Sequence, residues 1–125
     1  MNYSKQRNLI YDMVSSVKTH PTVETVYDEV KKTQSNISLS TVYRNLERLA
    51  DEQMLLRVKV AGQPDRYDGD ITNHYHISCI KCHKIFDVHT EYLKEIDEKI
   101  SKISGLEIKS HNIIFNTICD KCKIN

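Results

Sequence analysis

The sequence has no excess of either charge. Its 18 Lys and Arg face 17 Asp and Glu, for a formal net charge of +1 over 125 residues. Bulk electrostatics therefore do not mark a nucleic-acid binder, and any basic surface has to be local. Nor does any apolar run suggest a membrane span or a signal peptide, and the opening residues Asn2 to Arg7 are polar. These absences predict a cytoplasmic, reducing setting with no membrane partner. Repeats and low-complexity tracts are missing too, and 39% hydrophobic with 28% charged residues reads as globular. Cysteine is scarce, four in all, and they form two Cys-x-x-Cys pairs, Cys79/Cys82 and Cys119/Cys122. In a reducing compartment such pairs are metal ligands sooner than disulfides. Two knuckles supplying four thiolates match a closed tetrahedral Zn²⁺ site. The competing reading, two unrelated pairs of free thiols, explains the pairing less well.

What is present in the first half is helical periodicity. Leu9, Ile10, Met13, Val14 and Val17 predict a helix over residues 4 to 17. His20-Pro21-Thr22 breaks it, and Thr22 is placed to cap a second helix with Val23, Val26, Tyr27 and Val30 on its apolar face. Ser38 or Ser40 caps a third, in which Leu39, Val42, Leu46 and Leu49 form the buried stripe. The opposite face carries Ser40, Thr41, Arg44 and Arg48, flanked by Tyr43 and Asn45. Next, Leu56 to Val60 alternates apolar and basic residues, Ala61 to Asp65 makes a turn, and Arg66-Tyr67-Asp68 returns. Helices, turn, helix and hairpin together predict a winged helix-turn-helix. In that arrangement Arg44 suits a guanine edge or phosphate, Asn45 an adenine, and Arg57 and Lys59 on the wing lie near phosphates. The plainer alternative is an amphipathic helix and a strand with solvated polar faces.

The second half is built around metal-ligand types. His74 and His76 are two residues apart, which puts both rings on one face of a strand, the geometry for chelation. With Asp87 they are N/O donors, suited to a different metal from the thiolates. Residues 74–77 and 84–89 read as strands flanking the first knuckle. Leu93, Ile96, Ile100 and Ile103 define a helix ended by Gly105, and residues 106–108 and 113–118 read as further strands. Gly69 to Thr72 reads as a hinge, which gives units of residues 1–69 and 70–125. Taken by spacing alone, His20 is a loop residue, Asp68 and Asp87 are exposed acids, and His83, His89 and His111 are surface or supporting residues.

In combination these motifs resemble the ferric uptake regulator family: Ser40-Thr41-Val42-Tyr43-Arg44-Asn45-Leu46, Arg66-Tyr67-Asp68, His74-x-His76-x-x-Cys79-x-x-Cys82 with Asp87, and Cys119-x-x-Cys122. The resemblance spans nearly the whole chain. It implies an α+β protein, with an N-terminal winged-helix domain over residues 1–69 and a C-terminal α/β dimerisation domain over residues 70–125 that holds a Cys₄ zinc site. It further implies a homodimeric repressor of double-stranded operator DNA, not an enzyme, controlled by a second metal. The peroxide-sensing branch is the nearest. By that likeness Fe²⁺ or Mn²⁺ is held by His20, Asp68, His74, His76 and Asp87. Asn73 and Tyr75 stand where iron regulators often carry a further histidine and acid. His83 replaces a glycine usual after the first knuckle, and the chain starts late in the family's first helix. An iron- or manganese-responsive uptake regulator of the same family is the second reading. A mononuclear Fe²⁺ oxygenase, from two histidines and a carboxylate, is a remote third, because the chain lacks the many paired strands of a β-barrel enzyme. A cytidine-deaminase-like reading fails, since no Glu follows the first His of the His74-x-His76 pair at H-x-E spacing.

Overall fold

The computed structural model describes residues 3–72 and 74–123; Asn73 lies outside them. The chain forms two compact units, one running through Ile71 and the other starting at Thr72.

The first unit is three helices and a hairpin: α1 (Tyr3–Ser15), α2 (Val23–Val30), α3 (Leu39–Asp51), β1 (Leu56–Val58) and β2 (Arg66–Asp68). Helix α2 starts where Thr22 Oγ1 accepts the Thr25 amide at 3.3 Å. Helix α3 starts on Ser38, whose Oγ accepts the Thr41 amide at 3.1 Å. Both side chains satisfy amides that the first helical turn leaves without partners. Ile10, Val14, Val26, Val30, Ile37, Val42, Leu46, Leu49, Leu55 and Tyr67 make the core. Leu39, expected in the buried stripe, is 44% exposed; it sits one residue past the cap, and Ile37 ahead of the cap fills the core instead. The hairpin is antiparallel, with Arg57 opposite Tyr67. Gly69 follows it against α1, where a Cβ would come within 2.8 Å of the Ser15 Cα.

The second unit is a three-stranded sheet in the order β4-β3-β5, with β3 (Tyr75–Cys79) central between β4 (Ile85–Val88) and β5 (Ile114–Thr117). Strands β3 and β4 are antiparallel, while β3 and β5 are parallel, with β4 and then α4 (Lys94–Ser104) between them in the chain. Helix α4 ends on Gly105 at φ 74°, a left-handed cap that costs glycine least. Residues 106–108, read from sequence as a strand, have no strand partner: Ser101 Oγ accepts the Ile108 amide at 3.0 Å, tying that segment back to α4. A last turn of helix, α5 (Asp120–Lys123), carries Cys122. No helix among the described residues is long and apolar enough to cross a membrane.

Candidate metal centres

Parallel pairing of β3 and β5 sets Cys79 opposite Thr117, so the next turn delivers Cys119 beside Cys79. The Cys119 amide points at the Cys79 sulfur at 3.4 Å, and the Cys82 amide does so at 3.5 Å. The first knuckle turns through His83 at φ 65°, a left-handed conformation that glycine adopts without strain and histidine tolerates at some cost. The sulfurs of Cys79 and Cys122 are 3.7 Å apart, those of Cys82 and Cys119 3.7 Å, and those of Cys119 and Cys122 3.5 Å. A disulfide needs about 2.05 Å. The edge of a tetrahedron with Zn–S of about 2.3 Å is about 3.8 Å. The backbone amides of Cys119 and Cys82 pull the Cys79 thiol down to about 5, whereas the Cys119 sulfur, with burial, pushes the Cys122 thiol up. One thiolate is stabilised here without a cation and further ones are opposed. A divalent cation resolves that conflict, so the donor set fits Zn²⁺ in charge as well as spacing.

The N/O donors form one cluster in each unit. In the first, His20 sits between α1 and α2 at φ 55° and is held from β2: Arg66 donates to its carbonyl at 3.2 Å and the Tyr67 amide to the Pro21 carbonyl at 3.0 Å. Its Nε2 lies 3.3 Å from Asp68 Oδ2, and Asp68 Oδ1 accepts the Asp70 amide at 2.9 Å. Both residues are buried. In the second unit, His76 and Asp87 are direct cross-strand partners. Asp87 Oδ1 lies 3.1 Å from His74 Nε2 and 3.3 Å from His76 Nε2. His74 Nδ1 donates to the Thr72 carbonyl at 2.7 Å, which leaves the Nε2 lone pair facing the carboxylate. A lone pair facing a carboxylate oxygen at that distance wants a cation or a proton. Imidazoles and carboxylates without sulfur suit Fe²⁺, Mn²⁺ and similar ions.

On α3, Ser40, Tyr43 and Arg44 are exposed and Thr41 and Asn45 half-buried. Asn45 Nδ2 donates to the Thr41 carbonyl at 2.9 Å. Ser4, Arg7, Thr41, Arg44, Asn45 and Arg48 line one surface depression, so the neutral chain does carry a local basic groove, and Arg7 is a member that the sequence did not single out. Lys59 is exposed, 4.0 Å from Asp65. Arg57, expected near phosphates, is bound by the α3 carboxylates Glu47 at 2.9 Å and Asp51 at 3.3 Å. Sequence reasoning also missed a cluster in the second unit. His111 Nδ1 lies 2.6 Å from Asp97 Oδ1, its Nε2 lies 2.8 Å from the Tyr75 hydroxyl, and Tyr92 donates to Asp97. Its members are 14, 19 and 36 residues from His111, with no motif to join them.

The sequence model of the ferric uptake regulator family matches residues 1–116. The chain belongs to the ferric uptake regulator family. That match stops short of Cys119, so the second half of the thiolate cluster rests on the sulfur distances. The peroxide-responsive repressor PerR of Staphylococcus epidermidis is 30% identical over 118 residues, covering 94% of this chain and 79% of that protein. Among solved structures, the peroxide stress regulator of Campylobacter jejuni is similar at a TM-score of 0.79 and 29% identity, covering 96% of this chain and 90% of that one. The Helicobacter pylori ferric uptake regulator Fur, described as having three functional metal-binding sites, is similar at 0.81 and 25% identity, covering 96% and 83%. This family member thus keeps the α+β fold of regulators sensing different signals.

Proposed function

We propose that this family member is a metal-dependent transcriptional repressor that binds operator DNA as a homodimer and senses peroxide. The observation that carries this reading is the pair of sulfur-free donor clusters, His20 with Asp68 and His74 and His76 with Asp87. The PerR likeness supports the choice of signal. The first unit is read as a winged helix, with α3 as the recognition helix and the β1–β2 hairpin as the wing. The second is read as the dimerisation domain. Ile100, Ile103, Leu106 and Phe115 stand exposed there, an apolar surface that a second copy covers. Cys79, Cys82, Cys119 and Cys122 hold structural Zn²⁺, and His20, Asp68, His74, His76 and Asp87 share one Fe²⁺ or Mn²⁺.

Ligands drawn from both units make the mechanism a population shift. Binding all five donors favours the relative arrangement that binds DNA, by differential affinity for that state. Held by His20, Asp68, His74, His76 and Asp87, Fe²⁺ would supply reducing power toward peroxide, which Mn²⁺ would do far less readily. An imidazole of the set, His20 or His74, would gain one peroxide oxygen at a ring carbon as the O–O bond breaks and the other oxygen leaves as water; the oxidised ring would be a poor ligand, so the two clusters would part and DNA would be released. Mass spectrometry of proteolytic peptides after brief peroxide exposure tests this. One added oxygen on the His20 or His74 peptide, with Fe²⁺ and not with Mn²⁺, is expected. Unmodified peptides together with DNA binding that survives peroxide point instead to an iron- or manganese-responsive uptake regulator. The equally strong fold likeness to Fur favours that as the second reading.

For the DNA contact, Arg44 projects from α3 opposite the buried Val42, Leu46 and Leu49. Arg44→Ala is expected to cost about 1–3 kcal/mol of specific binding, concentrated at one base position, with zinc and Mn²⁺ content unchanged. Gel-shift titration across single-base operator variants gives the value; undiminished affinity removes α3 as the reading helix.

A further inference from the structure

Both strands of the hairpin reach Glu47 on α3. Glu47 Oε2 accepts the Tyr67 hydroxyl at 2.6 Å and the Arg57 Nε at 2.9 Å, and Arg57 also reaches the Glu47 carbonyl at 3.4 Å and Asp51 at 3.3 Å. Tyr67 is on β2, Arg57 is its partner across the ladder on β1, and Glu47 and Asp51 are one turn apart on α3. The Tyr67 ring is wholly buried in the core, so its hydroxyl has one direction in which to find a partner. Burial pushes the Glu47 carboxyl up, yet the Tyr67 hydroxyl and the Arg57 guanidinium together bring it below its ordinary value. Glu47 is therefore held ionised at the centre of the junction.

Tyr67 is followed directly by Asp68, and its amide donates to the Pro21 carbonyl next to His20. Tyr67 is thus adjacent in sequence to Asp68 and hydrogen-bonded through its amide to the residue after His20, so both first-unit donors are held by the residue whose side chain grips α3. We propose that Tyr67, Glu47 and Arg57 form the link through which metal at His20 and Asp68 is felt at α3, and that Arg57 is a positioning residue rather than a phosphate contact. Arg57 suits that role because its planar fork engages two carboxylates at once, a geometry an ammonium group cannot copy. This inference rests on the metal-dependent DNA binding proposed above and adds the route by which it works inside the first unit.

The test measures a coupling, which a contact serving stability alone leaves unchanged. A duplex is first selected from a random library by the Mn²⁺-loaded wild type. Affinity for that duplex is then measured with and without Mn²⁺, and Mn²⁺ affinity with and without the duplex, for wild type, Tyr67→Phe, Arg57→Ala and Arg57→Lys. Tyr67→Phe is expected to bind Mn²⁺ as wild type does in the absence of DNA. Its Mn²⁺-induced gain in DNA affinity should fall roughly fivefold, and the DNA-induced gain in Mn²⁺ affinity should fall by the same factor, because coupling free energies are reciprocal. Arg57→Lys is expected to behave like Arg57→Ala, both losing coupling while keeping the wild-type salt slope. Unchanged coupling in Tyr67→Phe overturns the link. A salt slope lowered by about 0.9 in Arg57→Ala and restored in Arg57→Lys overturns the positioning role and makes Arg57 a phosphate contact. If Tyr67→Phe does not fold, the two Arg57 variants decide alone, since that side chain is at the solvent edge. Wild-type affinity indifferent to Mn²⁺ overturns the regulatory reading itself, and the link with it.

Discussion

Cys119→Ser is expected to lose zinc, the fold of the second unit and the dimer together. The hydrophobic core cluster lies entirely in the first unit, whereas the second buries few large apolar side chains, Tyr75, Cys79 and Ile85 among them. A unit of that size with so small a core needs a staple. The sulfur cluster is the staple: it ties the end of β3 to the end of β5 and to α5. Structural Zn²⁺ contributes about 10–16 kcal/mol in small domains of this kind, far more than the remaining contacts can replace. Serine offers no thiolate, so three sulfurs, those of Cys79, Cys82 and Cys122, are left to hold the ion. Zinc content by elemental analysis, circular dichroism and sedimentation check the three losses. A zinc-free Cys119→Ser that stays folded and dimeric contradicts the structural role.

Asp87→Ala is expected to do the reverse, keeping zinc, fold and dimer but losing control by the second metal. Asp87 is the one carboxylate of the second-unit cluster, and its Oδ1 faces both imidazoles. Changing residues that merely support a ligand costs roughly 10–100-fold in metal affinity, so removing a ligand should reach at least the top of that range, about 100-fold. Isothermal titration with Mn²⁺ gives the affinity and anisotropy with labelled duplex gives the DNA response. Asp87→Ala that still takes up Mn²⁺ with wild-type affinity places the regulatory ion elsewhere.

Much of this organisation was legible because the signals are local. Thr22 and Ser38 announce helix starts by offering oxygens to amides three residues on, and Gly105 marks a stop. His74-x-His76 and Cys79-x-x-Cys82 encode ligand geometry in spacing alone, whereas the left-handed turn at His83 was signalled only by the glycine that the resembled family usually carries there. What stayed hidden depends on long-range packing. Leu39 continues the apolar period of α3, yet its exposure is decided by where Ser38 caps the helix. Residues 106–108 have strand composition, but the sheet partner went to β5. Arg57 alternates with apolar neighbours as a wing residue should, and only the long-range side-chain pairing reveals that Glu47 and Asp51 on α3 have taken it. His20 and Asp68 are anonymous by spacing, 48 positions apart, and the family likeness alone singled them out before their 3.3 Å approach was seen.

The central claim is that a metal other than zinc controls DNA binding. Its most direct test is fluorescence anisotropy of a duplex selected by this protein, titrated with zinc-loaded protein at increasing Mn²⁺. Affinity is predicted to rise at least about tenfold and to saturate at one Mn²⁺ per chain, within the usual 5–150-fold span of such couplings. Equal affinity with and without Mn²⁺, at full zinc occupancy, would contradict the account.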